Sequence, residues 1–135
     1  MPRDRKHVPD EVVGRLRRIC GLPEAREEQA WTGIRWRIRA KTFAHVVMID
    51  AGWPPAYAKA VGNDGPLCVL TFRSWLAEGD PDAFTTPPFF RPRWFADMAG
   101  LQLDALTDWD DVAALIVGSY RLLAPKKLSA SMSLP

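Results

Sequence analysis

Residues 34–39 read Ile-Arg-Trp-Arg-Ile-Arg, and no other stretch of the chain restricts its fold so tightly. Side chains alternate across a strand with a period of 2, so Ile34, Trp36 and Ile38 share one face and Arg35, Arg37 and Arg39 the other. A one-residue slip would bury three guanidinium groups without partners. The segment is therefore expected to be a half-buried strand with an arginine face, and Lys41 adds a fourth cation at the turn that follows.

Ala40-Lys41 marks a tight connection into Thr42–Ile49, a β-branched and apolar run that reads as the hairpin partner. Leu67–Phe72 is a third strand, and Leu101-Gln102-Leu103 ends the looser alternation of Phe95–Leu103 as a last one. The spacing of Val12, Leu16, Ile19 and Cys20 predicts an N-terminal helix that Pro9-Asp10-Glu11 opens and Gly21 and Pro23 stop. Ser74–Glu78 reads as a short helix closed by Gly79. Asp108 caps a final helix in which Val112, Leu115, Ile116, Ser119 and Leu123 form one stripe, ending before Pro125. Residues 50–66, with Gly52, Pro54, Pro55, Gly62, Gly65 and Pro66, read as a loop with one helical turn at Ala56–Ala60. This order of elements predicts an α+β fold, a two-layer sandwich with a mainly antiparallel sheet and helices on one face.

A chain of 135 residues fits one domain. Residues 9–128 are expected to form it, between a flexible N-terminal arm (1–8) and a flexible tail (129–135). No apolar run approaches the ~20 residues of a membrane span, and no apolar signal core follows the basic N-terminus. Cys20 and Cys68 have no CxxC spacing, in a chain too large to need a disulfide staple. A monomeric cytoplasmic protein with reduced thiols is expected.

The cations are unevenly spread: residues 1–60 hold 12 Lys and Arg against 7 Asp and Glu, and residues 61–135 hold 6 against 9. Along one strand face, Arg35, Arg37, Arg39 and Lys41 fall at intervals of ~7 Å, close to the phosphate spacing of a nucleic-acid strand. The plainer reading is a solvated sheet face whose arginines pair with Glu27, Glu28 or other acids. Arg91 and Arg93 flank Pro92 beside Phe89, Phe90 and Trp94, and aromatics interleaved with Arg can stack bases; a loop pinned by core aromatics explains the same residues. Trp53 and Tyr57, in the proline-stiffened segment 50–66, can instead line a groove for a small molecule or a protein. Asp108, Asp110 and Asp111 belong to the first turn of a helix, which accounts for them without a metal. His45 has no Cys, His or acid at ligand spacing. No phosphate loop, nucleophile elbow or HExxH motif is present, so a binding protein without a cofactor is expected rather than an enzyme.

Trp31-Thr32-Gly33, Trp36-Arg37-Ile38 and Lys41-Thr42-Phe43-Ala44 resemble the tryptophan-glycine and hairpin block of the MmcQ/YjbR family. Leu101-Gln102-Leu103-Asp104, Asp108-Trp109-Asp110-Asp111 and the run from Ser119 to Lys127 are similar to its C-terminal block. The resemblance spans residues 12–128. It implies a two-layer α+β fold, related in outline to type III secretion chaperones and to the frataxin-like shape, and DNA binding through a double-wing arrangement of hairpins. Gln102 stands where the family usually has Arg or Lys, Met98 where it has Trp, and the segment after Phe72 is shorter; each departure removes contact groups near the second wing. The alternative is a small-molecule or protein-binding domain in resistance or stress response.

Overall fold

A computed structural model describes residues 6–130 of the chain. Six strands build one sheet in the order β1-β2-β3-β4-β6-β5, with every neighbouring pair antiparallel. They are β1 (Ala25–Gln29), β2 (Ile34–Ile38), β3 (Lys41–Ile49), β4 (Leu67–Arg73), β5 (Phe89–Phe90) and β6 (Met98–Leu103). The helices are α1 (Asp10–Ile19), α2 (Pro55–Val61), α3 (Trp75–Gly79), α4 (Trp109–Leu123) and α5 (Lys126–Ala130). The class is the α+β fold that the order of elements predicts.

The alternation in β2 divides the molecule. Trp36 and Ile38 are buried with Val46, Leu70 and Phe72 of the sheet, beneath Leu16 and Cys20 of the α1 segment and Val112, Ile116 and Tyr120 of α4. Burying side chains of this size is worth roughly 1.5–3 kcal/mol each, so this face supplies most of the hydrophobic stabilisation. Asp108 caps α4 as expected, accepting from the backbone N–H of Asp110 and Asp111 at 3.0 and 3.3 Å.

On the opposite face Val47, Ile49 and Val69 pack against Tyr57 and Ala58 of α2 and Phe90 of β5. The single turn expected at Ala56–Ala60 is thus the seven-residue α2, and helices stand on both faces. α2 and β5 leave open the part of this face that carries Arg35 and Arg37, which lines a groove together with His45, Thr71 and Tyr57 of α2.

A β-bulge separates the two halves of the β2–β3 hairpin. Trp36 pairs with Ala44 but Arg37 with Thr42, so Phe43 has no opposite number on β2. Phe43 and Ala44 consequently both join the helix-side core, where the Phe43 ring lies edge-on to Tyr120 at 5.5 Å.

Three further features differ from the sequence reading. β1, Ala-Arg-Glu-Glu-Gln, has no apolar alternation, because its two glutamates face opposite ways: Glu27 accepts from Arg17 and the Trp36 indole, and Glu28 from Arg35 and Arg37. Lys6, assigned to the arm, donates its backbone N–H to Asp50 at 2.9 Å. Ser129 and Ala130, assigned to the tail, end α5; residues 1–5 and 131–135 of that arm and tail lie outside the described residues.

Candidate binding groove

The open part of the second face is a groove of about 590 Å³. Its cationic wall is Arg35 and Arg37 of β2 with Lys41 of β3, its floor includes His45 and Thr71, and aromatic rings of Trp31, Tyr57, Trp94 and Phe95 stand around it. The Tyr57 and Trp94 rings meet edge-on at 4.9 Å. Arg73 reaches in from the end of β4, with Nη1 2.8 Å from Asp97 and its guanidinium carbon 4.2 Å from the Phe95 ring centre.

Local backbone geometry seats these groups. The turn between β1 and β2 carries Trp31 and Thr32, and Gly33 adopts φ +72°; a Cβ there would lie 1.9 Å from the Val46 carbonyl oxygen. Only glycine lets this turn press against β3. Thr32 can then receive His45: the carbonyl of Thr32 is 2.8 Å from Nε2, and the Tyr57 hydroxyl is 3.1 Å from Nδ1. Burial holds the His45 imidazolium form back, against the opposing pull of the Thr32 carbonyl, and Arg35 adds to the lowering. Burial also pushes the Tyr57 phenol up to about 12. At neutral pH the chain of donors therefore runs from Tyr57 O–H to Nδ1 and from Nε2–H to Thr32.

The six cations of the sequence reading separate. Arg35, Arg37 and Lys41 line the groove together. Glu28 lies against the first two: its Oε1 is 3.0 Å from Arg35 Nε, 2.9 Å from Arg35 Nη2 and 3.4 Å from Arg37 Nη1. The half-buried wall thus holds two guanidinium groups against one carboxylate. Arg39 does not belong to it. The two-residue hairpin turn after Ile38 requires a left-handed residue, Arg39 supplies it with φ +57°, and its Nε pairs instead with Glu24 at 3.1 Å.

Arg91 is corrected outright. It is 8% exposed, and its guanidinium donates to the carbonyls of Ala77, Asp80, Pro81, Ala83, Ala96 and Met98 at 2.9–3.4 Å. All its donors are spent inside the loop, so no phosphate can reach them. Arg93 is exposed, donates to Pro81 at 3.1 Å and lies outside the groove.

The aromatic pair of the alternative reading also divides. Tyr57 lines the groove, while Trp53 lines a second concavity of about 810 Å³ on the helix side with Val8, Arg17, Ile34 and Met48. In that second space Arg17 is committed to Glu27 through two bonds of 2.8 Å. Trp31 joins the two regions, its ring edge-on to Trp53 at 5.5 Å. Phe95 and Arg73 escaped the sequence reading, whereas Glu28 is the acid that its plainer version sets against the arginines, and it does pair with Arg35 and Arg37.

Among the described residues, no group of three or more His, Cys, Asp or Glu side chains is placed to hold a metal ion. No helix among them is long and apolar enough to cross a membrane. No family model matches the chain, and no curated protein does. A solved structure of a protein from Pseudomonas syringae, determined by a structural-genomics consortium, is similar over 76% of this chain and 79% of its own, with 15% identity and a TM-score of 0.48.

Proposed function

We propose that this protein is a binding module whose groove takes up a planar ring carrying an anionic group, for which a nucleotide, free or within a single strand, is the fitting chemical form. The observation that carries this reading is that Arg35 and Arg37 share one carboxylate, Glu28, on the wall facing Trp94 and Tyr57. One of the two positive charges is left over for a ligand, beside rings that can stack on a base. Such contacts favour phosphate and ring over base identity, so sequence preference should be weak.

The resemblance of residues 12–128 to the MmcQ/YjbR family supports the nucleic-acid form of the reading. The concave shape supports a single nucleotide unit over a duplex lying along a convex strand face. The test is fluorescence anisotropy of a labelled oligothymidylate, competed by a mononucleotide and by duplex DNA. Binding is expected with an affinity that falls with log salt at about −0.7 per phosphate neutralised. Mononucleotide should compete and duplex should not. Trp94→Ala should weaken binding without loss of folding, since Trp94 is exposed. Absence of any salt-sensitive binding in low salt, by either ligand, would sink the reading.

A further inference from the structure

We infer that the groove selects a phosphate monoester over a carboxylate or a phosphodiester, and that Glu28 sets this preference; the inference rests on the groove being the ligand site. Arg35 and Arg37 are held very differently. Arg35 meets Glu28 Oε1 through both Nε and Nη2, at 3.0 and 2.9 Å. Arg37 reaches the same oxygen at 3.4 Å, gives Nη2 to the Ala40 carbonyl at 2.8 Å, and leaves its Nε buried with no hydrogen-bond partner. A buried donor without an acceptor is costly. Arg35 is therefore the anchored arginine, and Arg37 the one whose hydrogen bonding improves when it turns to a ligand.

Charge decides which ligand benefits. Arg35, Arg37 and Lys41 carry three positive charges on this wall and Glu28 one negative, which leaves two; Arg73 and Asp97 cancel. A ligand carboxylate, with one charge and two oxygens, would largely duplicate what Glu28 already offers. A phosphodiester also brings a single charge. A phosphate monoester carries about −1.5 to −2 near pH 7 and three strong acceptor oxygens. It can take the fork of Arg37 and the Lys41 ammonium while Glu28 stays on Arg35. The ring then faces Tyr57 and Trp94.

The test uses three small probes with the same ring: phenyl phosphate, methyl phenyl phosphate and benzoate. Each is titrated at pH 7.5 into the full chain by calorimetry, with the Trp94 indole and Arg37 Nε–H resonances followed in parallel. The wild-type protein should bind phenyl phosphate roughly tenfold more tightly than the other two, as expected when one further charge-assisted contact is made. The Arg37 Nε–H resonance should shift with phenyl phosphate. Glu28→Gln keeps an oxygen acceptor and removes the competing charge, so benzoate should come to within about threefold of phenyl phosphate. Arg37→Gln should abolish the discrimination. Equal binding of all three probes by the wild-type protein, or an unchanged ranking in Glu28→Gln, overturns the inference and leaves the groove as the site. No binding of any probe, with the Trp94 resonance unmoved, overturns the proposed function itself. Should Glu28→Gln fail to fold, the wild-type ranking and the Arg37 Nε–H response decide alone.

Discussion

Ser119, in the C-terminal half of α4, donates its hydroxyl to the backbone carbonyl of Phe43 at 2.7 Å and accepts the backbone N–H of Arg73 at 2.9 Å. Ala44 pairs with Phe72, so the next position in that register would set Phe43 against Arg73. The bulge at Phe43 spoils this rung, and one helical hydroxyl bridges it. Ser119→Ala removes the bridge and leaves two backbone groups unsatisfied around a fully buried site. The expected loss is about 2–6 kcal/mol, at the 1–3 kcal/mol scale for each stranded group. Urea denaturation measures it, and a change below about 0.5 kcal/mol, the range of an ordinary surface substitution, would contradict the bridging role.

Arg91 does for the segment between α3 and β6 what a bound cation does for a loop. Six carbonyls from Ala77 to Met98 converge on it, and Trp94 and Phe95 are held between its own position and two of those carbonyls, Ala96 and Met98. Arg91→Met should cost at least ~3 kcal/mol, since several carbonyls lose their donor at once. Arg91→Lys should recover little, because a compact ammonium cannot reproduce the planar fork. Amide hydrogen exchange over residues 77–98 should rise in both variants. Wild-type protection in Arg91→Lys would show that charge, not the fork, organises the loop.

How much of this was readable from the residues depended on what holds each element. β2, β3, β4 and α4 are defined by burial, and burial leaves a record as alternation in Trp36 and Ile38, as an unbroken apolar run in Val46 and Val47, which serve opposite faces, and as helical spacing in Val112 and Ile116. β1 and the loop around Arg91 are defined by polar pairing, which has no period. Glu27 and Glu28 look alike in sequence and serve opposite faces. Arg91 looked like a surface cation because its six acceptors are backbone carbonyls, which carry no residue identity. The groove assembled the same way: Arg35 and Arg37 were legible as one face, but Tyr57, Trp94 and Arg73 reach them only through the sheet order.

His45 should make stability depend on pH in a defined window. Its pKa in the folded protein lies below the usual 6.5, chiefly through burial. The unfolded chain therefore binds a proton more readily than the folded one. Stability is complete above pH 6.5 and falls as pH drops below it toward the folded value. Glu27 and Glu28, held below 4.5 by hydrogen bonds from Arg17 and Arg35, act in the same direction only at more acid pH. Urea midpoints at pH 7.5 and 5.5 thus isolate His45. The wild-type midpoint should fall between them and that of His45→Gln should fall less; equal pH dependence in both would assign the effect elsewhere.

The last expectation sorts the cations by where the fold puts them. If the ligand occupies the groove, Arg37→Gln and Lys41→Gln should each weaken oligothymidylate binding and reduce the salt slope by about 0.7, the value for one phosphate contact on a single strand. Arg39→Gln and Arg93→Gln should do neither, because Arg39 is turned away to Glu24 and Arg93 sits on the carbonyl of Pro81. Both are exposed, so each change should also leave stability within about 0.5 kcal/mol. The comparison separates two geometries that share the same residues in sequence. A ligand running along the whole hairpin would feel Arg39 as strongly as Arg37, since they lie two residues apart. If Arg39→Gln lowers affinity and slope as much as Arg37→Gln does, the contact surface is the outer edge of the hairpin and the groove is not the site.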